Sequence, residues 1–324
     1  MISIGAIEAA ARRLKGHARR TPLLSSPFLD EIAGRRVFVK AECLQHTGSF
    51  KFRGAWSAVS ALEPVIRKRG LIAYSSGNHA QGVALAARLH EVACTIIMPS
   101  DAPRLKIDNT RALGAEVVLF DRDHEDRDEI GNHLSKDRGL TLIRPFNDPY
   151  VIAGQGTTGL ELAEQAHKAG VKRAQVLVPC GGGGLTSGIA VALAERAPQM
   201  TVRPCEPVGF DDTNRSLKSG RIERNSRLSG SVCDAIITPS PGTLTFAIMR
   251  AHCQPGPVAS DAECLRAIAL GFLRLKIVAE PGGAVALAGA LFHGGGLPDG
   301  DIIAVVSGGN VDTRLFRDAL GGDA

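Results

Sequence analysis

Residues 176–190, VLVPCGGGGLTSGIA, run from an apolar β-branched stretch through four consecutive glycines, Gly181, Gly182, Gly183 and Gly184, into a helical segment beginning near Leu185. Near-continuous apolar strands are the mark of a parallel sheet covered by helices on both faces. Four glycines leave backbone N–H groups uncovered where the helix starts, and the positive end of its dipole suits an anion such as a phosphate. Three readings fit the stretch by itself: a phosphomonoester site, a dinucleotide site and a plain tight turn. Glu206, at the end of TVRPCE, falls about where a dinucleotide fold places its ribose-binding acid. Against that reading, alignment of G-x-G-x-x-G on Gly182 and Gly184 puts Ser187 where the third glycine belongs.

Outward from this loop the same alternation continues. Upstream, LIAYSS (71–76), CTIIMP (94–99), AEVVLF (115–120) and TLIRPF (141–146) read as strands. Between them lie helical segments from Asn78 to about His90, from Pro103 to Leu113, and near 123–137. Downstream come a helix at about 155–169, the strand QVLVPC, a helix at about 185–197, the strand TVRPCE, and IIAVV at 302–306. Crossovers of this kind demand parallel strands, so the chain is expected to be α/β with two doubly wound sheets. A length of 324 residues agrees with two domains at about 150 residues each. Neither a fixed-period repeat nor a low-complexity linker separates them.

Composition narrows the function. The 44% apolar content supports a packed core. The net charge of +5 is small and well mixed, as in DRDHEDRDEIGNHLSKDR (121–138), and only 4% of residues are aromatic, so nucleic-acid binding gains no support. Seven cysteines, without a C-x-x-C pair, indicate neither a disulfide framework nor a zinc ribbon; a reducing cytoplasm fits them, and none is read as a nucleophile. No secretory or membrane-spanning segment is expected.

Chemistry concentrates in ECLQHTGSFKFRGA (42–55). Lys51 stands between Phe50 and Phe52, after the turn Thr47-Gly48-Ser49 and at the start of a helix. In apolar surroundings an ammonium loses hydration, its pKa falls, and the neutral amine becomes a nucleophile and base. A snorkelling surface lysine is the alternative. The segment Ser75-Ser76-Gly77-Asn78-His79 follows a strand and opens a helix, so its amides and hydroxyls can clamp a carboxylate, or serve as an ordinary helix cap. In CEPVGFDDTNRSL (205–217), Glu206 and Asp212 flank the Phe210 carbonyl around a turn; these hard oxygen donors suit Mg²⁺ or Ca²⁺, and a solvated acidic loop is the alternative.

Six motifs, TGSFKFRGA (47–55), SSGNHAQG (75–82), AGQGT (153–157), GGGGL (181–185), EPGGA (280–284) and SGGN (307–310), resemble in order and spacing the serine/threonine dehydratase and serine racemase family. These are pyridoxal-phosphate enzymes of fold type II, tryptophan synthase β-like, and the resemblance covers nearly the whole chain. It implies that Lys51 holds the cofactor covalently and then takes the substrate Cα proton, and that Phe50 lies against the pyridine ring. Gly181 to Gly184 and the Leu185 amide would hold the phosphate, Asn78 the 3′-oxygen and Ser307 the ring nitrogen. Ser75, Ser76, Asn78 and His79 would bind the substrate, with Ser76 opposite the lysine as the second proton-transfer residue of a racemase. Glu206, Phe210 and Asp212 would hold the divalent ion.

The resemblance further implies a large cofactor domain, 1–71 and 148–324, and a small domain, 72–147, that carries the carboxylate clamp. The expected reaction is β-elimination from serine, threonine or 3-hydroxyaspartate, releasing a 2-oxo acid and ammonia. A serine or aspartate racemase is the first alternative and an NAD-dependent dehydrogenase a remote one. The partner is a small amino acid, with no nucleic acid or membrane, and a homodimer is expected. Two departures from related sequences bear on substrate: His46, which could serve a second carboxylate or, as the preferred reading, be a structural histidine, and SVCDAI at 231–236. The short stretch after SGGN predicts no C-terminal regulatory domain and no feedback inhibition.

Overall fold

The computed structural model describes residues 2–75, 77–102, 104–121 and 124–322. The strands are β1 (Leu23–Ser25), β2 (Val37–Ala41), β3 (Leu71–Tyr74), β4 (Cys94–Pro99), β5 (Glu116–Phe120), β6 (Thr141–Leu142), β7 (Ala174–Pro179), β8 (Met200–Pro207), β9 (Val258–Ala259) and β10 (Asp301–Val306). They form a six-stranded sheet in the order β1-β2-β10-β7-β8-β9 and a four-stranded sheet in the order β5-β4-β3-β6. Among the described residues, the ladder of β1 with β2 is antiparallel and the other ladders are parallel.

Alternation along the strands sorts the core of the larger sheet into two layers. Val37, Val39, Leu177, Ile302 and Ala304 point to the face covered by the helices Asp261–Leu270 and Pro281–Phe292. Phe38, Val176, Val178, Ile303 and Val305 point to the other, under the helices Pro149–Lys168 and Gly184–Arg196. Both faces of a parallel sheet are thereby buried, which is why these strands lack polar alternation. A further layer joins the smaller sheet to the helices over the larger one: Leu71, Ala73, Ile96 and Met98 pack with Phe52 and Trp56 of the helix Lys51–Ala61, and with Val151 and Ile152 of the helix Pro149–Lys168.

That helix carries Lys51 and is anchored in both directions. Its first turn is tied to the end of β10, because the Phe50 amide donates to the Ser307 carbonyl at 3.1 Å. A buried charge network holds it as well: Arg53, fully buried, donates to Glu42 at 2.8 Å and to Glu161 at 2.7 Å, and Lys40 reaches Glu161 at 2.6 Å. Removing one member of such a buried pair strands its partner's charge, at about 3–5 kcal/mol.

The expected elements from residue 71 onward are present, with shifted ends. The helix expected at 155–169 begins at Pro149, because Asp148 caps it by accepting from the Tyr150 and Val151 amides. TLIRPF keeps only Thr141–Leu142 in the sheet; from Arg144 onward the chain leaves it and lines a cavity.

Candidate active site

Between the two sheets lies a cavity of about 400 Å³, and nearly every motif reaches it: Phe50, Lys51, Ser75, Asn78, His79, Gly181 to Leu185, Glu280 and Ser307 all line it. The Lys51 amine is there because the turn before it is locked onto SGGN. Thr47 and Gly48 hold positive φ values of 58° and 70°, the Gly309 amide donates to the Gly48 carbonyl at 2.9 Å, and Ser49 bridges Gly308. Lys51 Nζ donates to the Pro145 carbonyl at 3.0 Å and lies 5.1 Å from the Phe50 ring centroid. Burial lowers its pKa to about 8, against the opposing pull of the Glu280 carboxylate.

Across the cavity, Gly183 takes φ 89° as N-cap of the helix Gly184–Arg196, and no side chain among the described residues caps that end. Space as well as φ restricts the loop: a Cβ on Gly182 would overlap the Phe146 ring, and one on Gly181 would lie 2.9 Å from the Ile236 carbonyl oxygen. The Gly182 carbonyl is held from behind by the Thr245 hydroxyl at 2.6 Å. The result is an open helix N-terminus of fixed shape aimed at the lysine's cavity, which fits a phosphate.

Ser307 is buried just after β10, its amide donating to the Gly283 carbonyl at 3.2 Å. Asn78 opens the helix Asn78–Leu89, donating to Glu280 and accepting from Asn310 at 2.7 Å. The Ser75 hydroxyl accepts from the Gly77 amide at 3.1 Å. Ser76 lies outside the described residues. The His79 side chain is committed elsewhere: its Nε2 is 2.9 Å from the Ile143 carbonyl, and burial together with the Lys51 charge lowers its pKa to about 3. The neutral ring therefore braces the exit of β6 against the clamp helix, which leaves its backbone rather than its imidazole for a substrate.

Of the two readings of His46, the structure favours the structural one. It packs edge-on against Phe52 at 5.1 Å and is not among the residues that line the cavity, so it does not meet a second carboxylate.

Glu280 went unassigned in the sequence and is central in space. It is buried, its Oε1 accepts from Asn78, its Oε2 has no partner among the described residues, and burial first, with Asp234 adding, raises its pKa to about 7. Lys106 and Asp234 face each other across the cavity mouth at 3.3 Å, and Arg144 and Phe146 complete its wall.

The acidic loop is more ordered than a solvated one. Glu206 accepts from the Thr213 and Asn214 amides at 2.9 and 2.8 Å and so caps the helix Asp212–Ser219. Asp212 accepts from Asn225 at 2.6 Å through Oδ1, while its buried Oδ2 has no partner among the described residues. Burial pushes both carboxylates up, and the charge of Asp212 adds to the rise of Glu206. An orphaned oxygen beside a second buried carboxylate fits a hard cation, with the buried Phe210 nearby. Among the described residues no group of three or more His, Cys, Asp or Glu forms a metal cluster.

Comparison with known proteins agrees with this geometry. The family described as pyridoxal-phosphate dependent enzyme matches residues 14–308. An L-threo-3-hydroxyaspartate ammonia-lyase of a Pseudomonas species is 41% identical over 313 residues, covering 97% of each chain. A serine racemase of Schizosaccharomyces pombe is 37% identical, over 97% of this chain and 96% of the relative. The crystal structure of a threonine deaminase from T.th. superposes with a TM-score of 0.89 at 46% identity, covering 96% of this chain and 99% of that one.

Proposed function

Because this chain belongs to the pyridoxal-phosphate dependent enzyme family, and its fold is that of the type II members, we propose that it is an ammonia-lyase acting on a β-hydroxy-α-amino acid. The observation that carries the reading is the Lys51 amine, lowered to about 8, facing the same cavity as the uncapped glycine-loop helix. Ammonia-lyase relatives at 38–41% identity over nearly the whole chain support it.

In this reading Gly181 to Gly184 and the Leu185 amide hold the cofactor phosphate, Phe50 lies against its ring, and Asn78 and Ser307 bond its 3′-oxygen and ring nitrogen. Bound there, pyridoxal phosphate supplies an aldehyde that captures amines and a conjugated ring that withdraws electrons from the substrate Cα. The loop Ser75–Asn78 and the His79 backbone hold the α-carboxylate at a helix N-terminus. Lys51 Nζ, neutral once its proton is lost, takes the Cα proton; the β-hydroxyl leaves as water, and hydrolysis yields a 2-oxo acid and ammonia. Ser307 offers a hydroxyl where a carboxylate would keep the ring nitrogen protonated. The weaker electron withdrawal that follows favours prompt loss of the β-hydroxyl.

Residues 1–71 and 148–324 act as the cofactor-binding domain and 72–147 as the smaller domain bearing the clamp. Glu206, Asp212 and the Phe210 carbonyl hold Mg²⁺ or Ca²⁺ as a structural ion. A reducing cytoplasm is supported by seven free, buried cysteines. Pairing of two copies is supported by exposed apolar surface at Phe28, Ile32 and Leu273, joined where Arg274 lies 4.6 Å from the Phe28 ring centroid. A sedimentation mass of one chain sinks that pairing.

Purified protein should be yellow, borohydride should bleach it and fix the cofactor on Lys51, and Lys51→Ala should lose ammonia release almost completely. A colourless protein that binds NAD would overturn the assignment. The serine racemase relatives favour racemisation as a second reading. For that reading, Ser76→Ala should abolish interconversion of serine enantiomers while sparing elimination from the enantiomer whose proton faces Lys51.

A further inference from the structure

Among the described residues that line the cavity, Arg144 is a cation that neither enters the reaction nor is paired. Lys51 is the reacting amine, and Lys106 is paired with Asp234 at 3.3 Å. Arg144 lines the same cavity, is exposed, and among the described residues enters no hydrogen bond or ion pair. Its position is tied to the chemistry, because the next residue, Pro145, accepts from Lys51 Nζ at 3.0 Å. The following one, Phe146, packs on Gly182 and Gly184. The backbone that carries Arg144 is therefore clamped between the reactive amine and the phosphate cradle.

We propose that Arg144 is a specificity residue that receives a second carboxylate, on the β-carbon side of the substrate, and so selects hydroxy amino dicarboxylates over serine and threonine. The inference rests on the ammonia-lyase reading and names its substrate class. The clamp at 75–79 and the glycine loop each take one anion, so a third anion meets the uncommitted guanidinium. A guanidinium bonds a carboxylate through two parallel N–H groups, which a neutral methyl or hydrogen in its place cannot return. Serine and threonine carry no such group and gain nothing from Arg144.

The test compares kcat/KM for 3-hydroxyaspartate and serine in wild-type, Arg144→Gln and Arg144→Lys holoenzyme. Alongside are measured calorimetric binding of succinate against butyrate and the Kd for pyridoxal phosphate. In Arg144→Gln the 3-hydroxyaspartate-to-serine ratio should fall about 10- to 100-fold, the size of a lost charged hydrogen bond, mainly through KM. Arg144→Lys should recover part of it, and the preference for succinate over butyrate should fall in parallel. An unchanged ratio with an unchanged succinate preference overturns the proposal. So does a weakened cofactor Kd with an unchanged ratio, which would place Arg144 on the phosphate. If wild type releases ammonia from neither substrate, the lyase reading fails, and the succinate comparison still decides whether Arg144 binds a second carboxylate.

Discussion

Lys51 shows how one side chain's surroundings set its chemistry. An ordinary lysine is protonated at neutral pH, but here burial brings the ammonium down to about 8, with Glu280 opposing the shift. His79 is held neutral by burial of its own ring and by the Lys51 charge. The consequence is a pH window. In the apoenzyme the neutral amine fraction rises with pH and levels off above about 8, so the rate of cofactor capture should climb about tenfold per unit below that point and flatten above it. An ordinary lysine would keep climbing toward about 10.4. Stability follows the same sign: between the folded and unfolded values the unfolded chain binds more protons, so the apoenzyme gains stability as pH rises from about 8 to 10. Stopped-flow absorbance at the cofactor band, from about pH 6 to 10, decides; a rate still rising steeply at the upper end contradicts the lowered value.

The glycine loop and its helix were legible as a strand, turn and helix, while the loop by itself left a phosphomonoester, a dinucleotide and a plain turn open; the structure adds why no larger residue stands there. A methyl at Gly182 runs into the Phe146 ring. Overpacking of this kind costs about 1–3 kcal/mol, so Gly182→Ala should weaken pyridoxal phosphate binding roughly 5- to 150-fold while the far-ultraviolet dichroism stays native. An absorbance titration that returns wild-type affinity would show that the loop does not cradle the phosphate. Other elements carried no such signal. The helix Pro281–Phe292 is buried from Pro281 through Leu291, so it has no polar stripe and no helical period to read. Strand β1 spans three residues, too few for alternation to be seen. Glu280 reads in sequence as a residue before a proline, and its importance comes from Asn78, which lies 202 positions away. Arg144 was hidden inside an apparent strand, which ends at Leu142 because the chain turns out of the sheet into the cavity wall.

Across the molecule, one core layer runs from the smaller sheet through the lysine helix to Val151 and Ile152 of the helix Pro149–Lys168, which covers the larger sheet. The acidic loop sits near one edge of the larger sheet. Glu206 lies at the end of β8 and caps the helix Asp212–Ser219, and Asp212 begins that helix with one oxygen bonded to Asn225 and the other without a partner among the described residues. Two neighbouring buried carboxylates, if ionised, need compensation, and the proposed divalent cation would supply it while satisfying the orphaned oxygen. An ion bound only by the folded chain stabilises it by mass action, about 2.7 kcal/mol at a hundredfold excess over Kd. Chelation by EDTA should therefore lower the melting temperature by a few degrees, and Mg²⁺ or Ca²⁺ should restore it. The site lies on the loop after β8 rather than on the cavity wall, so activity should fall only as far as folded protein is lost. The double substitution Glu206→Gln with Asp212→Asn removes both charges at nearly constant shape, and its melting temperature should not respond to EDTA or to added ion. A wild-type melting curve that moves with neither reagent means that the Glu206 cap alone orders the loop.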